Sequence, residues 1–378
     1  MTKSPGYLDN LLKNLKTIRE RAGISRSELE ERMILGPGWV ERFESGATAP
    51  SIDMLLAILH ETGSKFTDLL EGLPSHPDAT ELERLIFAEP SGNDLTINFR
   101  YAEHDATYML LKATIDEFES VIKIMRDKLA MLATDENNST AIKTDAVAST
   151  FLKAVAIWPH ANPSDLWWFL VYRGFCDPYN HPAQYARLDL AQSWKRTGGW
   201  ALEEVLVRHY GPFLHERGID LLISDAATKQ GIVAAIDVGE RIEADKIDVI
   251  VLESGSGKFL GVVNVKASFA ERRTDDVPMS LALAKKGYAS PLWTMDCKSM
   301  PSAIPRNKGE LGAASGKTRS AKRRDIEDEG YFTGCFSYNR NTQPTAGLKS
   351  AEQSIHVCDF SNPDDAFSQF ILSRLPNP

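Results

Sequence analysis

The feature that most constrains the fold is a pair of apolar runs joined by a short turn rich in glycine and serine. Residues 245–252 read DKIDVIVL and residues 259–268 read FLGVVNVKAS, with ESGSGK between them. Runs of β-branched residues around such a turn predict a β-hairpin. Because successive side chains of a strand point to opposite faces, Asn264 and Lys266 share one face. The hairpin places its strands side by side, so Asp248 and Lys266 can meet.

Helical patterns flank this hairpin. Residues 198–218 read GGWALEEVLVRHYGPFLHERG and predict a helix, a second helix begins near Asp275, and PLWTMDCKS from Pro291 predicts another strand. Strand-like and helical segments continue to alternate over residues 150–378. We therefore expect an α/β domain with a mixed central sheet in this part of the chain.

The pattern D-x15-N-x-K brings together groups that suit metal-dependent phosphodiester hydrolysis. That reaction needs a divalent ion to neutralise developing charge and activate water, plus a group that acts on the water. Mg²⁺ prefers oxygen ligands, which Asp248 and the main-chain carbonyl of Val265 can supply. Lys266 is placed to act on the water. Asn264 is neutral, so the site is one charge short unless another carboxylate enters it.

This pattern, within the order helix, hairpin, helix, strand, resembles the PD-(D/E)XK nucleases. In that family a second acid usually stands where this chain has Asn264. The resemblance implies Mg²⁺ as the cofactor and a metal site at the hairpin. Its implied catalytic residues are Asp248, Asn264, Lys266 and Glu203, and its implied metal ligands are Asp248, Val265 and Glu203.

Two pairs of acids could complete the metal site. Glu203 and Glu204 match a helical position where many of these nucleases carry a metal-binding glutamate, and of the two we favour Glu203. Asp275 and Asp276 are the alternative. Because they precede a proline at the start of a predicted helix, they also fit an ordinary helix N-cap.

The residues after the hairpin predict a role in reading DNA. Lys266 is followed by ASFA and then by Glu271, Arg272 and Arg273, which resembles the CCGG family of restriction endonucleases and, more widely, the BsaWI-type branch of type II restriction enzymes. The resemblance implies that Glu271 accepts from cytosine and Arg272 donates to guanine in the major groove. Ala270 replaces the first arginine of the family motif, a departure for which Arg273 would have to compensate.

A basic segment predicts phosphate contacts. Residues 306–324 hold seven Lys and Arg side chains within nineteen residues, together with several Gly and Ser. A flexible cationic loop of this kind can follow a DNA backbone. The alternative is a surface loop that the acidic run DIEDE at residues 325–329 neutralises. The residues predicted to contact phosphate are Lys317, Arg319, Lys322 and Arg323.

The start of the chain predicts five short helices over residues 7–72, with a tight turn between the second and the third. It resembles the helix-turn-helix domain of Cro/repressor-type (XRE) regulators. The residues that carry the resemblance are Leu15, Arg19, Gly23, Ser25, Leu29, Arg42, Glu44, Gly46, Pro50, Leu55, Leu56 and Gly63.

The residues of this domain argue against base reading. In the family the third helix enters the major groove, but here it starts with Gly36, Pro37 and Gly38, which offer no side-chain hydrogen bonds. Residues 1–73 hold nine basic and eleven acidic side chains, a net charge of −2. Any DNA contact would use Trp39 or Arg42. Dimerisation or docking is the alternative role.

Between the two ends we expect a smaller unit and a linker. Two alternating runs within LTINFRYAEHDATYMLLKAT, followed by an amphipathic helix over residues 115–132, predict a hairpin-plus-helix unit that serves as a dimerisation element or spacer. The next residues are small and polar without periodicity. The predicted domains are a helix-turn-helix domain (1–75), the hairpin-plus-helix unit (76–133), a linker (134–149) and the nuclease domain (150–378).

Composition limits the partners and the compartment. Forty-three Lys plus Arg against 52 Asp plus Glu give a net charge of −9 over 378 residues, so any DNA-binding face must be local. The four cysteines show no C-x-x-C spacing, which excludes a disulfide scaffold and a zinc ribbon and favours the cytoplasm. No window approaches about 18 uninterrupted apolar residues, so we expect no membrane span.

These features predict a Mg²⁺-dependent, sequence-specific endonuclease of type II restriction character that acts on double-stranded DNA at a CCGG-related site. Because such an enzyme cuts both strands, a homodimer or higher homo-oligomer is implied. Two other functions stay open. One is a non-enzymatic transcriptional regulator, motivated by the missing acid at Asn264, and the other is an anti-phage effector nuclease controlled by the N-terminal domain.

Overall fold

The computed structural model divides into two compact units, the N-terminal unit (Met1–Glu83) and the large unit (Arg84–Pro378). Each unit is described by itself below. The structure describes residues 7–45, 47–48, 50–73, 84–101, 104–135, 137–182, 189–236, 247–268, 273–297, 307–316, 319–347 and 349–375.

Five helices form the N-terminal unit, as its sequence pattern predicts. The expected caps are present, because Ser25 accepts from the N–H of Glu28, Ser51 accepts from the N–H of Met54, and Gly63 ends its helix in the left-handed conformation. The buried core includes Leu15, Ile18, Leu29, Val40, Phe43 and Leu59. The helices are α1 (Tyr7–Arg21), α2 (Arg26–Arg32), α3 (Trp39–Glu44), α4 (Ile52–Thr62) and α5 (Phe66–Leu69).

A buried carboxylate joins three of these helices. Glu44 on α3 is 3% exposed and accepts from Arg19 Nε on α1 at 2.6 Å and from Arg26 Nε on α2 at 2.7 Å. Burial opposes ionisation of Glu44, but the hydrogen bonds from the two arginines outweigh it and hold its pKa below the usual value. The ion pairs therefore fix the packing of α1, α2 and α3.

The large unit begins with an antiparallel sheet of β1 (Ile86–Ser91), β2 (Asp94–Tyr101) and β3 (His104–Leu110), in that order. The sequence predicted β2 and β3 but not β1. Helix α6 (Ile115–Ala130) follows, with a capping box between Thr114 and Glu117. Its buried face is the predicted one and includes Phe118, Ile122, Met125 and Leu129.

The predicted linker is wrong for most of its length, because α7 (Ser139–Ile157) begins within it. Ala146 and Ala148 are fully buried in the same apolar core as α6 and the three-stranded sheet. Residues 84–133 therefore share one core with the nuclease part. Small side chains let α7 pack closely against its neighbours, and the lack of large apolar residues made the segment look like a linker.

Further helices surround the second sheet of the large unit. The structure describes no helix that is long and apolar enough to cross a membrane. Cys176, Cys297, Cys335 and Cys358 are free thiols. The helical segments are α8 (Pro163–Asp165), a π-helical turn (Leu166–Val171), α9 (Tyr172–Cys176), α10 (Leu190–His215), α11 (Ala226–Ile236), α12 (Arg273–Lys285), α13 (Ala321–Glu327) and α14 (Ala366–Leu372).

The second sheet has six strands in chain order and confirms the predicted mixed sheet. The first three strands pair antiparallel and the last four pair parallel, so β6 belongs to both parts. Val251 pairs with Gly261 but Leu252 pairs with Phe259, which leaves a β-bulge at Leu260. The strands are β4 (Ile219–Leu222), β5 (Val249–Glu253), β6 (Phe259–Lys266), β7 (Leu292–Thr294), β8 (Cys335–Ser337) and β9 (Ile355–Val357).

The strands β5 and β6 are covered on both faces. Val249 and Val263 belong to the large core that includes α10, whereas Ile250 and Val262 pack with Met279 of α12. Burial on both faces explains why these strands read as nearly continuous apolar runs. The hairpin is therefore held between two helices, with its polar residues at the end of the ladder.

We expect Glu44→Gln to lower the free energy of unfolding of the N-terminal unit by about 3 kcal/mol, because it leaves two arginines without their shared buried anion. Hydrogen exchange followed by mass spectrometry should show faster exchange in α1–α3. Glu41→Gln is the control, since its side chain lies on the same helix, pairs with Arg26 and is 66% exposed. Equal protection in the two variants would contradict the structural role of Glu44.

Candidate active site

The predicted contact between the hairpin strands is present. Asp248 lies directly before β5, and its Oδ2 accepts from the N–H of Val265 and from Lys266 Nζ, each at 2.8 Å. The side chains of Asp248 and Lys266 are 16% and 14% exposed. The two charged groups are therefore held together at the rim of the sheet, where solvent still reaches them.

The main chain of Val265 faces the same place. Asn264 and Lys266 use their main-chain groups in hydrogen bonds on the β7 side of β6. Main-chain groups of successive residues alternate in direction along a strand. The N–H and C=O of Val265 therefore point to the β5 side, where the N–H meets Asp248. The carbonyl predicted as a metal ligand lies on the side of the strand that the prediction requires.

Glu203 of α10 approaches these groups from the helix that covers the sheet. Its pKa is raised to about 8, mainly by burial and then by the charge of Asp248, while Lys229 and Lys266 partly offset both effects. The charge of Asp248 acts on Glu203, so the two carboxylates lie near each other. Their oxygens, with the Val265 carbonyl, make a donor set that fits a hard divalent cation.

The other acids considered for this site contribute less. Glu204 is tied to Arg208 by an ion pair of 2.9 Å on the same helix. The side chains of Asp275 and Asp276 lie outside the described residues. Within the described part of the chain, no group of three or more His, Cys, Asp or Glu side chains could hold a metal ion. A cation here would need main-chain oxygen and water besides Asp248 and Glu203.

Lys229 is a site residue that sequence reasoning missed. It lies on α11, and its Nζ donates to the main-chain carbonyl of Ile247, next to Asp248. Its charge also acts on Glu203. Lys229 is the only charged residue of α11, AATKQGIVAAI, and this was the signal available in the sequence.

Asn264, which the sequence predicted as a catalytic residue, is buried and hydrogen-bonded within the protein. It is 1% exposed, and its Nδ2 donates to Ser290 Oγ at 3.0 Å and to the carbonyl of Pro291 at 3.2 Å. A carbonyl only accepts, so the amide nitrogen must face it. These contacts tie β6 to the segment before β7 and indicate a structural role for Asn264.

The prediction of a flexible basic loop is wrong for Arg323. This residue is fully buried in α13, and it donates to Glu327 Oε1 at 2.8 Å and to the Leu311 carbonyl at 3.0 Å. Its guanidinium is used inside the protein and is not available to a phosphate. The sequence could not show this because Arg323 and Glu327 are one helical turn apart only if α13 forms.

Neighbouring basic residues are also paired. Arg319 donates to Glu327 at 2.7 Å and to Asp328 at 3.0 Å, and Lys322 donates to Glu310 at 2.7 Å. The structure therefore favours the alternative in which the acidic run neutralises the basic one. Lys317 lies outside the described residues.

The side chains predicted to read bases after the hairpin lie outside the part of the chain that the structure describes. Glu271 and Arg272 lie outside the described residues, and Arg273 begins α12 with a side chain that is not described. In the N-terminal unit, Arg42 lies 5.6 Å from the ring of Trp39 on α3. These two predicted contacts are thus neighbours on one helix surface, preceded by Gly38 in the left-handed conformation.

Comparison with known proteins gives matches in both parts of the chain. A family model described as "Helix-turn-helix domain" matches residues 11–60. The type II restriction enzyme AgeI of Thalassovita gelatinovora is 35% identical over 241 residues, which are 61% of this chain and 84% of that protein.

Two solved structures resemble the chain. The specific AgeI–DNA complex has a TM-score of 0.63 at 30% identity and covers 74% of this chain and 100% of its own. The pre-specific BsaWI–DNA complex has a TM-score of only 0.32 at 15% identity, over 68% of this chain and 92% of its own. About a quarter of this chain has no counterpart in the AgeI structure.

These findings confirm the two expectations drawn from motifs. The helix-turn-helix match covers the helices that resembled repressor-type domains. The AgeI match extends over most of a known site-specific DNA nuclease and agrees with the mixed sheet and the flanking helices. With an added helix-turn-helix domain, the chain belongs to the type II restriction endonucleases.

Proposed function

We propose that the chain cleaves double-stranded DNA by Mg²⁺-dependent phosphodiester hydrolysis at a CCGG-related sequence. Type II restriction endonucleases generally use divalent metal ions. The observation that carries the proposal for this chain is the hydrogen bond of 2.8 Å between Lys266 Nζ and Asp248 at the end of the hairpin. The membership in a nuclease family argues against a purely regulatory function.

Asp248, Glu203 and the main-chain carbonyl of Val265 would hold the metal ion. When bound, a divalent ion neutralises charge on the phosphate and lowers the pKa of a bound water. Because its pKa is raised to about 8, Glu203 is largely protonated near neutral pH, so without a cation the two lysines face the single charge of Asp248. A bound divalent cation would favour the ionised form of Glu203, which would then supply the second carboxylate that this chain lacks at Asn264.

Lys266 and Lys229 keep distinct roles in this proposal. Lys266 orients the Asp248 carboxylate and brings a positive charge to the reacting phosphate and water. Lys229 is a positioning residue, because its hydrogen bond to the Ile247 carbonyl fixes the main chain directly before Asp248. Burial of Ile247 and Val249 on either side of Asp248 limits how far the carboxylate can move.

We assign recognition of the DNA target sequence to the segment after the hairpin. Glu271 lies five residues beyond Lys266, so these side chains would reach base edges close to the scissile phosphate. Glu271 would accept from cytosine, and Arg272 and Arg273 would donate to guanine. Lys317 remains a candidate for phosphate contact. Arg319 and Lys322 could contact phosphate only if DNA displaced their ion pairs with Glu327, Asp328 and Glu310.

The assembly follows from the reaction. Cleavage of both strands needs two catalytic sites, so we infer a homodimer or a higher homo-oligomer on DNA. The helix-turn-helix domain would add contacts through Trp39 and Arg42, without setting the target sequence. Its net charge of −2 over residues 1–73 makes it a weak DNA-binding module by itself.

Asp248→Asn and Lys266→Ala should each lower the cleavage rate by several orders of magnitude while DNA binding persists, because phosphate contacts dominate affinity. Plasmid digestion with Mg²⁺ and a gel-shift assay measure the two properties. Glu253→Gln, on β5 away from the site, is the control and should cut normally. Discrete fragments indicate restriction and smearing indicates an effector nuclease, whereas normal cutting by Asp248→Asn eliminates the site.

Asn264→Asp should destabilise the large unit by about 2 kcal/mol or more, because a carboxylate cannot donate to the Pro291 carbonyl and would be buried beside it. Urea unfolding measures the loss. Asn362→Asp is the matched control, because that exposed side chain only accepts, from the N–H of Asp364. Unchanged stability together with an altered metal preference would show that residue 264 belongs to the metal site after all.

Arg272→Ala should cost about 1 to 3 kcal/mol for each bidentate guanine contact that is lost. The loss should be confined to specific DNA. Competition binding with specific and random duplexes separates the cases, and Arg217→Ala, on the turn after α10, serves as a surface control. An equal loss on both duplexes would mean that Arg272 touches only phosphate.

A further inference from the structure

Helix α10 extends well past the candidate active site. It ends at His215 and β4 begins at Ile219, so the chain reverses and the helix runs back along β4. Strand β4 pairs antiparallel with β5, which places the N-terminal part of α10 at the Asp248 end of the hairpin. Thirteen residues of α10 precede Glu203, so the helix continues for about 20 Å beyond this residue.

One face of α10 changes from buried to exposed toward the start of the helix. Residues seven positions apart are nearly two turns apart, so they share a face. Tyr210 is fully buried in the large core, which also holds Val249 and Val263 of the sheet. Glu203, seven residues earlier, is partly buried, and Arg196, seven residues earlier again, is exposed. The face that covers the sheet at Tyr210 therefore projects at Arg196 past the rim that holds the candidate site.

The exposed part of this face is basic. Lys195 and Arg196 are both exposed, and within the described part of the chain neither has an ion pair, unlike the basic residues around α13. Asp189, the acid at the start of the helix, serves as its N-cap and accepts from the N–H of Gln192 at 3.0 Å. Because the whole chain is negatively charged, a polyanion can approach it only at a local basic surface such as this one.

A glycine lies on the same face, one turn before Glu203. Gly199 is exposed, and a Cβ added there would meet no atom within 4 Å. Its neighbour Gly198 differs, because a Cβ there would lie 3.1 Å from the ring of Trp194. Glycine inside a helix is destabilising relative to alanine, and nothing in the described structure requires it at position 199. A glycine on an outer face lets another molecule approach the main chain closely.

We propose that the exposed face of α10 before Glu203 binds the DNA backbone next to the scissile phosphate. Arg196 and Lys195 would each pair with a phosphate, and the backbone would pass over Gly199, with a sugar against the exposed ring of Trp200. Along the helix, Arg196 lies about 10 Å from Glu203, which spans about three phosphates of one strand. Such contacts position the duplex without reading its sequence. The proposal rests on the DNA cleavage proposed above, which sets the place of the scissile phosphate.

The salt dependence of DNA binding tests these contacts without cleavage. Binding of the full-length protein to a duplex is measured in EDTA by fluorescence anisotropy at several salt concentrations. Loss of one phosphate contact lowers the slope of log affinity against log salt concentration by about 0.9. We expect Arg196→Gln and Lys195→Gln each to lower the slope by about this amount and to weaken binding severalfold, equally on specific and random duplexes. Arg217→Gln removes the same charge from the turn after α10 and should leave the slope unchanged.

A second kind of variant tests the glycine. Gly199→Ala should weaken DNA binding at least threefold while the protein stays as stable or becomes more stable, because alanine favours a helix and its Cβ meets no atom within 4 Å. Thermal unfolding measures the stability. Gly211→Ala is the matched control on the same helix, because a Cβ there makes an ordinary contact with Val207 at 3.7 Å. This control should bind DNA with wild-type affinity.

The results separate this proposal from the function on which it rests. Absence of duplex binding by the wild-type chain overturns both. If the wild-type chain binds, but Arg196→Gln and Lys195→Gln keep its slope and Gly199→Ala keeps its affinity, only the assignment of α10 is wrong. Light scattering after size-exclusion chromatography adds one further outcome. A changed oligomeric state in Arg196→Gln would show that this face joins two copies of the chain, which also overturns the assignment.

Discussion

The carboxylate of Asp248 completes the hairpin ladder at the point where the main chain of β5 no longer can. The ladder ends at the pair Val249 and Val263, and Asp248 Oδ2 then accepts the N–H of Val265. The same oxygen receives Lys266. A single atom therefore accepts the last hydrogen bond of the strand and positions Lys266. The sheet and the candidate site depend on each other through this atom.

The sequence predicted the parts of the site that follow from strand alternation and from a short turn. These rules are local, so Asp248, Val265 and Lys266 could be brought together without the rest of the fold. The role predicted for Asn264 stays a prediction, but the sequence could not show that its amide donates to Ser290 and Pro291. These partners come from a segment distant in sequence, which no local pattern shows.

The errors in the sequence prediction have the same cause. The linker prediction rested on small, polar residues without periodicity, but in α7 the small residues allow close packing within one core. The basic loop looked free because its charges were counted without α13, in which Arg323 meets Glu327. Lys229 was missed because α11 reaches Ile247 only through the tertiary fold. The sequence shows which residues are charged or small. It does not show which residues they contact in the folded chain.

The β-bulge at Leu260 separates the two ends of the hairpin. A shift of one residue in β6 beyond Gly261 would turn Lys266 to the opposite face and away from Asp248. On the turn side of the bulge, Leu252 pairs with Phe259 in a register that differs by one residue from the rest of the hairpin. The turn at residues 254–257 can therefore change in length while Asp248 and Lys266 stay in contact. Variation among related enzymes should accumulate at this tip and stop at the bulge.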